Sequence, residues 1–268
     1  MMPAMLAKET NLSSASALVL DDEWSMEQKV DGHRILLHIS GPRFDDPSSA
    51  TPYNRNGEPY AGGKFPPDQA ALACEHFRVG DLVDGELVNG TFWAFDLPIR
   101  SGTERFEETF TERRAHLRHR KYPNTLPTAR LREAKARLMR KVRDEGGEGV
   151  IIKHLYSPYE PGARSANMLK AKYVKTIDCV VSAVKREGRD AIGLSVFGPD
   201  GLTEIGACST IGKVAVELGD VVEVRYLYAN NPEEPRLVQP VLLDLRSDKG
   251  PADCTIDQLH FTNKIVLP

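Results

Sequence analysis

The chain has 268 residues, of which 41% are hydrophobic and 27% charged, and its formal net charge is −3. This composition is typical of a soluble globular protein with one large or two modest domains. It excludes a membrane-spanning segment, which needs about 18 consecutive apolar residues, and no secretory signal is visible at the N-terminus. We therefore expect a cytosolic protein.

The cysteines are few and far apart in the sequence. None of the four forms a Cys-x-x-Cys pair, so neither a zinc site nor a disulfide framework is expected. We interpret them as reduced, buried thiols, and they are Cys74, Cys179, Cys208 and Cys254.

The first two thirds of the chain mix strand and helix patterns. Residues 27–40 alternate around Gly32, which predicts a strand, a tight turn and a second strand. Residues 41–66 are rich in Pro, Gly, Asn and Ser and predict loops with at most one short strand. The next predicted elements are a helix over Asp68–Phe77, a hairpin over Leu82–Leu97 with Asn89-Gly90 as its turn, helices over Glu104–Arg120 and Leu131–Glu145, and a buried strand over Gly149–Lys153.

After Lys175 the pattern changes to short β-rich segments separated by Gly, Pro and Asn. Five such strands in some 90 residues predict a small β-barrel, of which the OB-fold is one kind. We place the domain boundary near Thr176, giving domains 1–176 and 177–268. The predicted strands are Cys179–Lys185, Ala191–Phe197, Leu202–Ala207, Val221–Tyr228 and Val238–Leu245.

The charge of the chain is unevenly distributed. Twelve Lys and Arg residues lie in the stretch from Arg113 to Arg143, and Glu133 is the only acidic residue in it. Such a segment can attract phosphates. The alternative interpretation is a solvated, highly charged helix face.

The strongest chemical motif is Lys29-Val30-Asp31-Gly32-His33-Arg34. A lysine at a strand end beside a glycine turn can approach a phosphate closely, but an amine nucleophile must first lose its proton. Because a lysine amine titrates near about pH 10.4, neighbouring cations or desolvation are needed to free it. Lys170 and Lys172 alternate on a strand-like segment and present both amines on one face. The alternative is a surface hairpin with charged ends.

Further blocks follow this motif in a recognisable order. Together they resemble the covalent nucleotidyltransferase superfamily and, within it, the ATP-dependent DNA ligases. The blocks are Pro3–Ala7 for the opening segment, Glu27–Arg34 for the nucleophile motif, Arg55–Gly57 for the next, Asp84–Val88 and Trp93–Leu97 for the two middle motifs, Glu148–Lys153 for the fourth, and Arg164–Ser165 with Leu169–Lys172 for the fifth.

The resemblance implies an α+β fold: a nucleotidyltransferase (adenylation) domain with antiparallel sheets and helices, followed by an all-β OB-fold barrel. It implies that Lys29 attacks the α-phosphate of ATP to form a lysyl-AMP. Glu27 would accept a hydrogen bond from the adenine amino group, since a carboxylate is an acceptor only, and Phe95 would stack on the ring.

The remaining roles implied by the resemblance concern the phosphates, the ribose and a metal. Glu86 and Glu148 would hold Mg²⁺ or Mn²⁺, because hard divalent cations prefer oxygen ligands. Lys170 and Lys172 would neutralise charge on the α-phosphate. Arg34, Arg55 and Glu86 would hold the ribose and nearby phosphate.

The second domain would contribute a sixth motif over Gln239–Lys249. Its end, Arg246-Ser247-Asp248-Lys249, fits the family pattern, whereas Val241 and Asp244 stand where many relatives carry arginine. Arg246 and Lys249 then remain for orienting the leaving pyrophosphate.

The expected partner is nicked duplex DNA, bound by a monomer that resembles the small two-domain ligases of viruses and phages. Phosphate contacts would position the DNA without reading its sequence. The candidates for these contacts are Arg113, Arg114, Arg164 and Lys175.

Two other classes of function stay open at the level of sequence. One is another enzyme of the superfamily, either an RNA ligase or an mRNA capping guanylyltransferase. The other is a non-catalytic nucleic-acid-binding module that works through an OB-type barrel.

Overall fold

The computed structural model describes residues 1–41, 49–61, 65–185, 190–262 and 265. The predicted loop region 41–66 therefore lies partly outside the described residues, at 42–48 and 62–64. The chain divides into two compact units, and its fold mixes helix and sheet with sheet predominating. The first unit comprises Met1–Ala171 with the C-terminal end of the chain, and the second comprises Lys172–Asn263.

The first unit contains nine strands and four helices among the residues described. The strands are β1 (Leu6–Glu9), β2 (Trp24–Lys29), β3 (His33–Ile39), β4 (Ala50–Tyr53), β5 (Leu82–Val88), β6 (Thr91–Arg100), β7 (Thr103–Glu104), β8 (Gly149–His154) and β9 (Arg164–Lys172). The helices are α1 (Leu12–Ala17), α2 (Pro67–His76), α3 (Phe110–His119) and α4 (Arg132–Asp144).

These strands form two sheets in the first unit. One has the order β1-β9-β8-β2, in which β1 runs parallel to β9 and β2 antiparallel to β8. The other has the order β4-β3-β5-β6-β7 and its paired strands are antiparallel. The turn between β2 and β3 carries the chain from one sheet to the other. This turn brings side chains of both sheets to one place.

The turn from β2 to β3 depends on Gly32. A Cβ atom at this position would lie 2.2 Å from the backbone oxygen of Leu87 and 2.8 Å from Cγ2 of Val88. No side chain fits there, because real Cβ atoms do not approach backbone oxygens so closely. Glycine therefore lets the turn pass directly against β5.

The two faces of the first sheet have different roles. On one face Met26, Val150 and Ile152 are fully buried and contact Ala15 of α1 and Leu138 of α4. Since side chains alternate along a strand, Glu27 and Lys29 point to the opposite face. The apolar face anchors the helices and leaves the polar face for the site.

The hairpin predicted over Leu82–Leu97 is confirmed. Its turn residues Asn89 and Gly90 have φ values of 49° and 81°, the left-handed conformation that a two-residue hairpin turn requires. The helix predicted over Glu104–Arg120 begins only at Phe110, where the Thr109 hydroxyl and the Glu112 carboxylate form a capping box. Glu104 instead lies in β7 and pairs with Ile99 of β6.

The second unit is built from strands around one main apolar cluster. The strands are β10 (Lys175–Lys185), β11 (Ala191–Gly198), β12 (Gly201–Ser209), β13 (Val221–Tyr226), β14 (Ala229–Asn230), β15 (Arg236–Leu237) and β16 (Val241–Leu245). The order of the main sheet is β12-β11-β10-β13-β16, in which neighbouring strands are antiparallel, and the shorter β14 and β15 pair with each other. The main cluster includes Ile177, Leu194, Val222 and Leu242, each no more than 2% exposed.

The last predicted strand begins at Val241 rather than Val238. Pro240 precedes it and has no N–H to contribute to a ladder. Within the described part of the chain, the helices are too short or too polar to cross a membrane.

Candidate active site

Lys29 is the last residue of β2 and pairs with Gly149, the first residue of β8. Its ammonium forms an ion pair with the Glu148 carboxylate, which is buried while the lysine side chain is 22% exposed. Glu148 immediately precedes β8, so the pairing of β2 with β8 places the two side chains together. The contact joins the predicted nucleophile motif, Glu27–Arg34, to the predicted fourth motif, Glu148–Lys153.

Glu27 lies on the same strand face as Lys29 and is 1% exposed. Its two oxygens have different partners: the Thr128 hydroxyl donates to Oε1 at 2.6 Å, and Nζ of Lys153 lies 2.7 Å from Oε2. Glu27 pairs with Ile151 of β8, which makes Lys153 its diagonal neighbour on that face. Lys153 is thus a member of the site that the motif comparison left without a role.

Phe95 lies on β6 at the edge of this group and is 6% exposed. The guanidinium carbon of Arg34 lies 4.5 Å from its ring centroid, and Nζ of Lys153 lies 4.6 Å from it. Two cations at this distance from a ring face are attracted by its quadrupole. The ring belongs to a buried cluster with Val30 and Leu126, so Phe95 is both a packing residue and a wall of the site.

Arg34 is held by a bidentate pair with Asp84. Nε of Arg34 lies 2.5 Å from Oδ1 and Nη2 lies 2.7 Å from Oδ2. The Tyr159 hydroxyl also donates to Oδ2 at 2.7 Å. Burial opposes the charge of Arg34, but the Asp84 carboxylate raises its pKa on balance. Asp84 therefore fixes the guanidinium of Arg34.

Glu86 lies opposite Arg34 on β5. Burial raises the pKa of Glu86 to about 7, although the positive charges of Arg34 and Lys29 act in the opposite direction. The negative charge of Glu148 adds to the rise. Two acids from different sheets therefore lie within electrostatic reach of each other and of Lys29.

The structure brings Lys170 and Arg55 less directly into this group. Nζ of Lys170 lies 3.6 Å from Oε2 of Glu9 on the neighbouring β1. Arg55 has an exposed side chain in the turn after β4, and its backbone oxygen accepts from the N–H of Ala4. The contacts of Lys170 with a phosphate and of Arg55 with the ribose or a phosphate stay predictions.

Three predicted residues lie in the second unit. Lys172 is its first residue, and its ammonium donates to Oε1 of Gln239 at 2.8 Å. Arg246 lies 3.1 Å from Oδ1 of Asp178, and Lys249 forms an ion pair with Oδ2. Asp178 therefore holds the two cations of the predicted sixth motif side by side, and Arg246 also forms two hydrogen bonds to Asp248 at 2.8 Å. Their contact with pyrophosphate stays a prediction.

The structure corrects two of the four predicted DNA contacts. Arg113 is fully buried, with Nε 3.0 Å from Oδ1 of Asp96, and Arg114 is 7% exposed and donates to the backbone oxygens of Phe95 and Leu126. A guanidinium enclosed in this way cannot reach a DNA phosphate. Both arginines were misassigned because their charge predicts exposure, whereas buried carboxylate and carbonyl oxygens compensate it here.

Other cations of the basic segment are also internal. Arg120 is buried with two bonds to Asp81, at 2.8 and 2.9 Å, and Lys135 is fully buried with bonds to the backbone oxygens of Leu18, Asp21 and Trp24. Helix α4 also packs on the face of the first sheet opposite to Lys29. The segment is therefore not one continuous phosphate-binding surface. Arg164 is exposed and donates to the backbone oxygen of Ala7.

Sequence reasoning missed Lys153 and Thr128 as members of the site. Lys153 could have been found from its place in an otherwise apolar strand, Gly149-Val150-Ile151-Ile152-Lys153, since lysine is rarely buried unless paired. Its partner Glu27 could not have been predicted, because the register of β2 against β8 is set only by the tertiary structure. Thr128 lies outside the named strands and helices and carries no sequence signal.

The comparisons with known proteins agree with this geometry. Residues 84–172 match the model of the ATP dependent DNA ligase domain. A probable DNA ligase of Nocardioides sp. strain JS614 is 29% identical over 212 residues, which are 69% of this chain and 40% of that protein. A DNA ligase of Natronomonas pharaonis is 27% identical over 255 residues, covering 81% of this chain and 44% of the relative. The chain thus spans less than half the length of these curated relatives.

Solved structures give the same result for the fold. The ligase domain of LigD from M. tuberculosis matches with a TM-score of 0.53 and 22% identity, covering 95% of this chain and 98% of that one. A structure reported for the Lig E DNA ligases matches with a TM-score of 0.61 and 18% identity, covering 92% and 100% of the two chains. At these identities the likeness shows a shared fold of ligase domains.

Proposed function

We propose that this chain, which resembles the ATP-dependent DNA ligases in sequence and in fold, is itself an ATP-dependent DNA ligase that seals nicks in duplex DNA. The observation that carries the proposal is the position of Lys29. Its amine ends a strand beside the Gly32 turn and contacts Glu148, with Glu27 on the same face and Glu86 within electrostatic reach. This group combines a nucleophile, an acceptor for a base and two acids for a metal.

In the first step, the Nζ lone pair of Lys29 forms a bond to the α-phosphorus of ATP. The bond from that phosphorus to the bridging oxygen breaks, and its electron pair leaves with pyrophosphate. Attack needs the neutral amine, so the Lys29 ammonium first gives a proton to water or to the Glu148 carboxylate that it contacts. The attacking nitrogen then releases a second proton to water, which leaves a neutral phosphoramidate nitrogen.

The base of the nucleotide would be read at Glu27 and Phe95. Glu27 is buried, and an oxygen that already accepts one hydrogen bond retains a second lone pair for the adenine amino group. Phe95 presents an aromatic face beside it. ATP therefore fits this part of the site by its donor amino group and its flat ring.

A divalent metal ion fits the acids of the site. Within the described ranges no cluster of three His, Cys, Asp or Glu side chains forms a metal cage, but Mg²⁺ commonly uses one or two carboxylates with phosphate oxygens and water. The raised pKa of Glu86, about 7, marks a carboxylate whose charge the protein compensates incompletely. Glu86 and Glu148 would hold the ion, Mg²⁺ or Mn²⁺, which would supply charge stabilisation on the phosphates.

The fixed cations would stabilise the phosphate charge. We propose this role for Lys170 in the first unit and for Lys172, Arg246 and Lys249 in the second, since preorganised cations stabilise phosphoryl transfer. We also propose that the antiparallel second unit is an OB-type barrel, which its five-stranded sheet around one main apolar cluster favours.

Two further transfers would complete the reaction. An oxygen of the 5′-phosphate at the nick attacks the phosphorus of lysyl-AMP, and the phosphorus–nitrogen bond breaks to restore the amine. The 3′-hydroxyl then attacks the 5′-phosphate, and AMP leaves. We propose Arg164 and Lys175 as DNA phosphate contacts, because they remain from the predicted set after Arg113 and Arg114 are removed.

The test is sealing of a 5′-labelled nicked duplex by the purified protein with ATP and Mg²⁺. We expect sealing by the wild type, none by Lys29→Ala, and none when ATP is omitted. Parallel substrates with a nicked RNA duplex and with GTP separate the ligase proposal from an RNA ligase or a capping enzyme. Sealing by Lys29→Ala at the wild-type rate would refute the proposal.

A further inference from the structure

Lys153 is a buried lysine and the penultimate residue of β8. It is 4% exposed, and its ammonium lies 2.7 Å from Oε2 of Glu27, 4.6 Å from the Phe95 ring centroid and 4.7 Å from that of Phe110. A lysine in such a position is costly, because taking an ammonium out of water costs several kcal/mol. Its cost is offset by a carboxylate and two aromatic faces.

We infer that Lys153 holds the Glu27 carboxylate in one orientation and thereby makes the site select adenine over guanine. The inference rests on the proposed function, in which Glu27 reads the base. Lys153 would determine specificity by positioning Glu27. Neither the motif comparison nor the proposed steps assign a role to Lys153.

The chemistry of the two purines gives Lys153 this effect. Adenine presents an amino donor at the position where guanine presents a carbonyl acceptor. The Glu27 carboxylate can only accept, so it favours adenine and repels the oxygen of guanine. This discrimination requires that an accepting oxygen of Glu27 is held facing the base.

The surroundings of Glu27 leave Lys153 as its ion-pair partner among the described contacts. Thr128 donates to Oε1 from the loop before α4. Arg114 of α3 acts on Glu27 only electrostatically, since its guanidinium bonds the backbone oxygens of Phe95 and Leu126. If Lys153 is lost, the buried Glu27 carboxylate keeps no ion-pair partner among these contacts, and an unpaired buried charge is unstable, so the orientation of the carboxylate is no longer fixed.

The test measures formation of the covalent lysyl-nucleotide with α-labelled ATP and with α-labelled GTP for wild type, Lys153→Met and Lys153→Arg. We expect the ratio of kcat/KM for ATP over GTP to fall by about ten- to a hundredfold in Lys153→Met, the scale of one hydrogen bond to a charged group. The change should appear mainly in the KM for each nucleotide. Lys153→Arg keeps the charge and should restore at least part of the ratio.

A matched control is Lys135→Met, which removes another buried lysine, one that bonds only backbone oxygens away from Glu27. It should lower stability and leave the ATP to GTP ratio unchanged. If Lys153→Met does not fold, Thr128→Val removes the other fixed donor to Glu27 and should lower the same ratio by a smaller factor. In a Glu27→Gln background, Lys153→Met should change the ratio no further.

The outcomes separate the inference from the proposed function. An unchanged ATP to GTP ratio in folded Lys153→Met or Thr128→Val, with wild type still forming lysyl-AMP, overturns the role of Lys153 and leaves the ligase proposal intact. Absence of any lysyl-nucleotide in the wild type overturns the proposed function itself. A fall of the ratio in Lys135→Met equal to that in Lys153→Met would also overturn the inference.

Discussion

At the scale of single residues, the position of Lys29 depends on a glycine three residues further along. Gly32 passes so close to β5 that a Cβ atom would lie 2.2 Å from the oxygen of Leu87. Gly90 in the hairpin turn presents the opposite case. Its φ of 81° disfavours a side chain, but nothing lies within 4 Å of the added Cβ. The two positions separate a steric requirement from a conformational one.

We expect Gly32→Ala to lower the free energy of unfolding by about 1–3 kcal/mol, because the turn has to move away from β5. Gly90→Ala should cost about 1 kcal/mol through its backbone conformation alone. Only Gly32→Ala should also reduce labelling of the protein by α-labelled ATP, since the displaced turn carries Lys29 with it. Urea unfolding and the labelling rate measure both effects. Equal labelling of the two variants would show that the Gly32 turn does not position the nucleophile.

Two kinds of site residue differ in how far sequence predicts them. Lys29, Glu27, Glu86, Glu148 and Phe95 follow from motif order, and the structure places these five around one strand junction. Lys153 required knowledge of which residue lies opposite Glu27. Short-range patterns contain the identity of strands but not the register between strands that are distant in sequence.

At the scale of elements, the buried pair of Asp96 and Arg113 joins β6 to α3. Nε and Nη2 of Arg113 lie 3.0 and 3.2 Å from the two carboxylate oxygens, and Nη1 donates to the backbone oxygen of Ser157. Burial alone would raise the pKa of Asp96, but the positive charge of Arg113 lowers it below the ordinary value of 3.8. The pair adds to the apolar contacts of α3, whose Leu117 packs in one buried cluster with Phe92 and Ala94 of β6.

We expect Asp96→Asn to lower the free energy of unfolding by about 3–5 kcal/mol near neutral pH, because it leaves the Arg113 charge buried without a partner. Since the folded pKa of Asp96 is depressed, its contribution is fully present above the unfolded value, near 3.8. That contribution is lost as pH falls through the folded value. The difference between wild type and variant in urea unfolding should therefore narrow below about pH 3.8.

The control for this prediction is Asp22→Asn. Asp22 forms an exposed pair with Arg132, in which Nη2 lies 2.9 Å from Oδ2. Exposed pairs contribute little, so this variant should unfold close to wild type. If Asp96→Asn proves no more destabilising than Asp22→Asn, the pair does not attach α3 to the sheet.

Periodicity predicts most elements of this chain, whereas charge gives a misleading account of their exposure. The Asn89-Gly90 hairpin, α2 and the strands of the second unit follow from alternation and turn residues. Arg113, Arg120 and Lys135 are buried although their type predicts solvent exposure. Each is compensated by oxygens from a segment distant in sequence, Asp96, Asp81 or the backbone near Leu18. Only the folded chain brings those oxygens together.

At the scale of the whole molecule, the chain consists of a first unit with two sheets and a second unit with one main sheet. The first unit holds Lys29, the proposed nucleophile, with the residues proposed for the base and the metal. The second holds two cations, Arg246 and Lys249, on one aspartate. The composition allowed one large or two modest domains, and the change of pattern after Lys175 predicted two. Neither could predict which cations of the basic segment face solvent.

The central claim is that Lys29 carries AMP during the reaction. The direct measurement is peptide mass spectrometry of the purified protein after incubation with ATP and Mg²⁺, followed by a chase with nicked duplex DNA. We expect one AMP adduct on the peptide containing Lys29, which disappears during the chase as AMP appears on the 5′-phosphate of the nick. An adduct on another residue, or an equal adduct in Lys29→Ala, would contradict the account.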